Sequence, residues 1–266
     1  ATSNIVHGVT GNIDLSQSKK SIGIYMANGT LTSSGNISVS DKSVGLDATT
    51  SDVRISGGTH TIGKESVGFK LTNISNTKKF LGNSGNISIK DKGSVAYLIK
   101  SSVLTSGTNF KDNLALTSTS AYTYMSLINH SMLDYMNTKT IANDDSIFVN
   151  TKDSTVSLLS GTSVTSTNKK VTGVYSENSA VSNAGILALT GDESSALYGK
   201  AGSFLINSGK ITIGKSGSGI YSIDSTGKNN GEITIGQGSV GMRAEDAIIE
   251  NGVAGKILST GVSALG

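Results

Sequence analysis

One phrase recurs down this chain at a nearly constant interval. Asn207-Ser208-Gly209-Lys210-Ile211-Thr212-Ile213 is followed, after a short polar turn, by Gly219-Ile220-Tyr221. It returns as Asn229-Asn230-Gly231-Glu232-Ile233-Thr234-Ile235, and it stands earlier as Asn83-Ser84-Gly85-Asn86-Ile87-Ser88-Ile89. The leading glycine falls at Gly11, Gly35, Gly58, Gly85, Gly161, Gly185, Gly209, Gly231 and Gly255, mostly in steps of 22 to 27 residues. The interval from Gly85 to Gly161 is close to three such steps. Self-similarity of this period specifies stacked supersecondary units, because no unit can bury its few apolar side chains alone.

Within a unit the second and fourth residues after the glycine are apolar: Ile13 and Leu15, Ile37 and Val39, Leu187 and Leu189, Ile211 and Ile213. That alternation is the strand period. A second short strand follows at Ser21–Tyr25, Ser43–Leu46 and Ser66–Phe69, and a third apolar position precedes the next glycine at Leu31, Ile55, Leu81, Val181 and Ile206. Three strands and three turns per unit predict an all-β chain, a right-handed parallel β-helix with three sides. Roughly eleven coils at about 4.8 Å each would make a rod about 50 Å long. Residues 1–266 are expected to form a single β-helical segment, irregular or interrupted by an insertion at about 96–160.

The glycine of Ser-Val-Gly recurs at 23, 45, 68, 173, 219 and 241, with Ala96 and Leu197 in its place elsewhere. A site that accepts Gly, Ala or Leu marks crowding between stacked backbones rather than a fixed positive φ. Asn83, Asn183, Asn207 and Asn229 precede the leading glycine by two residues, where they suit a turn and, in register, an amide ladder. Lys42, Lys64, Lys90, Lys92 and Lys215 gather in one turn beside Asp41, Glu65 and Asp91. The first reading of that turn is a solvated corner; the second is a basic strip for an anionic glycan or surface.

The net charge of +3 names no partner, and with only Arg54 and Arg243 as guanidinium groups no nucleic-acid interface is expected. Cysteine is absent, which suits a chain exported unfolded; proline is absent too, which suits uninterrupted strands. No apolar run reaches membrane-spanning length. The opening Ala1-Thr2-Ser3 and the stop at Gly266 inside a unit carry no obvious cap, as expected of a piece of a longer rod.

Between 96 and 160 the phrase blurs, and aromatic residues concentrate: Tyr97, Phe110, Tyr122, Tyr124, Tyr135 and Phe148, with Met125, Met132 and Met136. Residues 121–136 are the one stretch with partly helical spacing. Insertions in solenoids lie on turns and often bind. Two readings stay open here: rings filling wide coils, or an exposed contact surface made by Tyr122, Tyr124, Asn129, His130 and Tyr135. Asn143-Asp144-Asp145 offers a carboxylate pair of the kind used in glycoside hydrolysis, but His7, His60 and His130 are dispersed and no nucleophile motif accompanies it. Turn residues are the better assignment. No catalytic residue, metal ligand or cofactor is nominated, and the chain is not expected to be an enzyme.

The phrases at 207–214 and 219–221, with 231–236 and 239–241, resemble the passenger domains of very large type V autotransporter adhesins of the fusobacterial, RadD-like family. The likeness covers about residues 5–95 and 161–266. It implies a β-helical passenger displayed on the bacterial cell surface and anchored to the outer membrane by a β-barrel that this chain lacks. It further implies noncovalent attachment, as a monomer, to a host-cell receptor, a glycan or a surface protein of a partner bacterium. The alternatives are a β-helical polysaccharide lyase or glycosidase, which predicts a groove of clustered acidic and basic residues, and a ligand-free structural spacer. A trimeric adhesin head is a weaker rival, because its repeats are shorter.

Overall fold

The alternation that marks the repeat does turn one edge of each short strand inward. The computed structural model describes residues 6–262, and among them all regular structure is β-strand. Ala1, Thr2, Ser3 and Gly266 lie outside the described residues. The fold is a right-handed parallel β-helix of about ten turns. The chain divides into two compact units, Ala1–Met132 and Leu133–Gly266.

In the first unit, Ile22–Ala27, Val44–Thr49, Val67–Thr72, Ser94–Lys100 and Tyr122–Ile128 pair in parallel in that order. The other faces begin as separate short strands, Thr30–Ser33 and Ile37–Val39, and then merge into two long ones, Asp52–Ile62 and Phe80–Ile89. The long strands bend where their register shifts between Ile55 and Thr59, at Gly58 (φ 78°) and opposite Gly85 (φ 127°). Only glycine adopts such backbone cheaply.

In the second unit three faces stay distinct. The first stacks Ile147–Lys152, Thr172–Glu177, Ser195–Lys200, Ser218–Ile223 and Val240–Glu245. The second stacks Thr155–Leu158, Ala180–Asn183, Phe204–Asn207, Thr226–Asn229 and Ile248–Asn251. The third runs from Thr138–Thr140 through Ser163–Ser166, Ile186–Leu189, Lys210–Ile213 and Glu232–Ile235 to Lys256–Ser259.

Crowding explains the repeated glycines. A Cβ on Gly45 would meet the carbonyl oxygen of Gly68 at 2.7 Å, and one on Gly219 would meet that of Gly241 at 2.5 Å. The register aligns Ala196, not Leu197, with Gly173, since Val174 pairs with Leu197. Two of the expected third apolar positions are also displaced by one residue: Phe80 and Leu205 are buried, while Leu81 and Ile206 are partly exposed.

Buried corners are held by side chains that serve the next coil. Ser43 Oγ accepts the Ser21 N–H at 3.0 Å, and Ser66 Oγ accepts that of Ser43 at 3.0 Å. In the second unit the amide ladder forms: Asn183 donates to Asn207, Asn207 to Asn229 and Asn229 to Asn251, each at 2.8 Å. Three of these side chains are fully buried, so every such bond removes a desolvated polar group that would otherwise cost about 1–3 kcal/mol. Asn83 has no counterpart in this ladder, because its turn is absorbed into the long strand Phe80–Ile89.

The helical spacing at 121–136 does not make a helix. Tyr122–Ile128 and Met132–Tyr135 are strands. On this face two successive residues in most strands are buried, here Tyr124 and Met125, so buried positions fall at 122, 124, 125 and 127 and imitate a helical stripe. The stretch 96–160 contains no long insertion; strands recur throughout it.

Candidate functional site

The nominated contact residues part company in the structure. Tyr122 is 3 % exposed and Tyr124 and Tyr135 are fully buried, so these rings present no surface to a partner. Their size is the reason: they fill the interior at coils where smaller residues elsewhere suffice. Tyr124 and Tyr97 both direct their hydroxyls to the buried carboxylate of Asp112, Tyr97 at 2.9 Å. Tyr135 packs edge-on against Phe148 at 5.3 Å. Asn129 and His130 are exposed, in a left-handed turn with φ of 56° and 58°. Asp144 and Asp145 are turn residues, and Asp144 accepts the Lys169 N–H at 2.9 Å.

A row of partly exposed aromatic rings lies elsewhere, on the first face of the second unit, apart from the single exposed rings Tyr25 and Phe204. Register places Tyr175, Tyr198 and Tyr221 directly beside one another in successive strands, ending on Arg243. Tyr175 and Tyr198 stack at 5.1 Å with their planes 7° apart; Tyr198 and Tyr221 meet edge-on at 5.0 Å; the Arg243 guanidinium sits 4.6 Å from the Tyr221 ring centre. All three rings are partly exposed. Cross-strand aromatic contacts of this kind stabilise the row.

Charges and hydroxyls border this ladder. On one side Glu177 accepts hydrogen bonds or ion pairs from Lys152 at 2.6 Å and Lys200 at 3.1 Å. Glu245 accepts from the Tyr221 hydroxyl and from Arg243, both at 2.6 Å. On the other side stand Thr172, Ser195 and Ser218, in register and partly exposed. The Tyr221 phenol is pushed up by the hydrogen bond it gives Glu245, and the Tyr198 phenol by burial and then by Tyr175. Glu177 is held low by Lys152 and Lys200, and Lys200 is raised by Tyr175 and Glu177. At neutral pH Lys200 is therefore held as ammonium and Glu177 as carboxylate, beside the neutral Tyr198 and Tyr221 phenols.

These tyrosines were missed, although the sequence carried their signal: Gly173-Val174-Tyr175, Ala196-Leu197-Tyr198 and Gly219-Ile220-Tyr221 repeat at equal steps. Their rings are sparse, one per coil, and only the register brings them together.

A groove of about 310 Å³ in the first unit is lined by Thr30, Thr32, Asp52, Arg54, Lys79 and Leu81, among others, and Asp52 pairs with Lys78 at 3.5 Å. Among the described residues no cluster of three or more His, Asp or Glu side chains is arranged to hold a metal ion, and no helix is long and apolar enough to cross a membrane.

Comparison with known families gives one result. The family model of the BigA third pectate lyase-like domain matches residues 51–257. No curated protein and no solved structure matches the chain.

Proposed function

The chain belongs to the family of the BigA third pectate lyase-like domain, and from that premise we propose that it is one β-helical segment of a bacterial adhesin, attaching noncovalently through the tyrosine face of its second unit. Domains of this type belong to bacterial surface proteins. The observation that carries the proposal is the ladder of Tyr175, Tyr198 and Tyr221 with its Ser and Thr flank. Tyrosine offers a large amphipathic surface at little entropic cost, and neighbouring hydroxyls supply adaptable hydrogen bonds. Because the faces of Tyr175 and Tyr198 lie against each other, the ladder offers edges and hydroxyls outward. A sugar ring would need a bare aromatic face. The partner is therefore a protein on a host cell or a neighbouring bacterium, bound by a monomeric segment. The likeness of the repeat phrases to RadD-like passengers supports the finer placement in a type V autotransporter anchored to the outer membrane.

The test is a cell-attachment assay with the chain displayed on a bacterial surface. Replacing Tyr175, Tyr198 and Tyr221 together by Ala should abolish attachment while the melting curve keeps its shape. Full attachment by the triple variant would sink this reading.

Polysaccharide cleavage is the second reading. The groove of Asp52, Arg54 and Lys79 favours it, since it gathers acidic and basic side chains on one face. Release of unsaturated sugars from an anionic polysaccharide would bring it forward.

A further inference from the structure

The turn before nine of the ten strands of one face is built alike, four in the first unit and five in the second. Its left-handed residue is Lys20, Lys42, Glu65 or Gly93 in the first, and Asp145, Lys170, Glu193, Ser216 or Gly238 in the second. The charges differ. Four successive coils of the first unit place Lys19, Lys20, Lys42, Lys64, Lys90 and Lys92 along this corner, all exposed, against Asp41, Glu65 and Asp91. The chain as a whole has 22 basic and 19 acidic side chains. Six cations and three anions at one corner therefore hold the entire excess of three, leaving sixteen of each sign elsewhere.

Little within the protein neutralises that excess. Glu65 is shared by Lys42 at 3.5 Å and Lys64 at 3.6 Å. The Asp41 carboxylate accepts the Lys64 backbone N–H at 3.3 Å. Among the described residues no carboxylate lies within 4.0 Å of the Lys19, Lys20, Lys90 or Lys92 ammonium. The lysines also border a concavity: Lys19, Lys20, Asp41, Lys42, Lys64 and Glu65 line a groove of about 300 Å³. The matching corner of the second unit is nearly balanced, one anion in excess, with Lys169, Lys170 and Lys215 against Asp144, Asp145, Asp192 and Glu193. There the coils pair with each other, Lys169 with Asp192 at 3.8 Å and Lys170 with Glu193 at 3.9 Å.

We infer that the lysine corner of the first unit is a binding site for a linear sulfated glycan. Coils spaced about 4.8 Å apart carry the cations in a line about 14 Å long, which suits a rod-like polyanion lying along the corner. Lysine ammonium groups are compact point charges that pair with anionic oxygens in any orientation, and no guanidinium fork for bidentate carboxylate recognition lines the groove. No aromatic side chain lines it either, so bases have nothing to stack on and nucleic acid fits poorly. The site is independent of the tyrosine face, and neither stands or falls with the other.

Immobilised heparin and a salt gradient test it on the whole chain. The variant Lys19→Gln/Lys20→Asn/Lys42→Asn uses Asn where the backbone is left-handed, so the turns are kept. Its affinity should fall about ten- to a hundredfold near 0.15 M salt. A second set, Lys64→Gln/Lys90→Gln/Lys92→Gln, should behave in the same way. Lys169→Gln/Lys170→Asn/Lys215→Gln removes the same charge from the nearly balanced corner and should elute like the parent. Equal elution of the three variants would reduce the effect to net charge and overturn the assignment. So would retention of polygalacturonate, single-stranded DNA or phosphatidylserine vesicles as tight as that of heparin.

Discussion

The first unit packs a cluster of aromatic rings inside its wall, and the second, besides the buried Tyr135 and Phe148, sets a row of them outside. In the first, Phe69, Phe80, Tyr97, Phe110 and Tyr124 are buried, with centroids 5.2 to 6.0 Å apart along the contacts that link them. In the second, the corresponding interior is largely aliphatic, with Val174, Leu197 and Ile220 in register, and the tyrosine ladder stands outside. Rings inside supply bulk and bring polar companions with them, such as Asp112 among the tyrosine hydroxyls. Rings outside supply contact area. A parallel coil accepts either, because each strand offers one inward and one outward row of positions. Ring content alone therefore does not locate an exposed row; phase along the strand does.

The largest expected effect breaks the interior half of this contrast. Tyr97→Ala removes a fully buried ring that touches Phe69, Phe80, Phe110 and Tyr124, and it takes one donor from Asp112. Aromatic truncations of this kind cost about 3–5 kcal/mol. Urea unfolding followed by circular dichroism should show a midpoint lowered accordingly. A loss under about 1 kcal/mol would mean that the cluster is loosely packed.

A second effect comes from an imidazole sealed in that interior. His60 takes the place of isoleucine in the column Ile37, His60, Ile87, fully buried 4.7 Å from Phe69, and neither ring nitrogen has a hydrogen-bond partner. Burial pushes its pKa down to about 4 from 6.5. The folded state thus binds its proton later than the unfolded state. Its contribution to stability is complete above about pH 6.5, declines as pH falls through that value, and levels off below about pH 4, a total of about 3 kcal/mol. The stability difference between His60→Leu and the parent should therefore widen in the variant's favour from pH 7 to pH 4. Two parallel stability–pH curves would show that the imidazole reaches water or a proton acceptor.

Much of this was legible in the repeat, and the failures have physical causes. Ile37, Ile87, Ile211 and Ile233 are buried as the period-two pattern requires, and the ladder of Asn183, Asn207 and Asn229 follows from equal spacing in a stack of coils. The candidate site was less legible. Tyr122, Tyr124 and Tyr135 drew attention as an aromatic cluster in a blurred region, yet the blur is itself a packing effect. In the strand register Tyr124 and Phe148 stand where other coils have Gly or Ala, beside the inward position. Large rings there erase the phrase without changing the fold. The lysine corner was recognised as a turn, but its charge imbalance against the second unit emerged only with the pairing across coils, which depends on register.

The smallest effect sharpens the exterior half of the contrast. Tyr198→Ala deletes the central rung of the ladder, losing ring contacts to Tyr175 and Tyr221. Both contacts are partly solvated, and the Ala196 and Leu197 side chains behind them stay buried. Exposed cross-strand pairs contribute about 0.2–1 kcal/mol, so the unfolding midpoint should barely move. If Tyr198→Ala costs as much as Tyr97→Ala, the ladder is part of the packed wall and not a surface held ready for a partner. If the stability cost is slight and cell attachment falls, the outer row owes its order to contacts within the coil and its purpose to contacts beyond it.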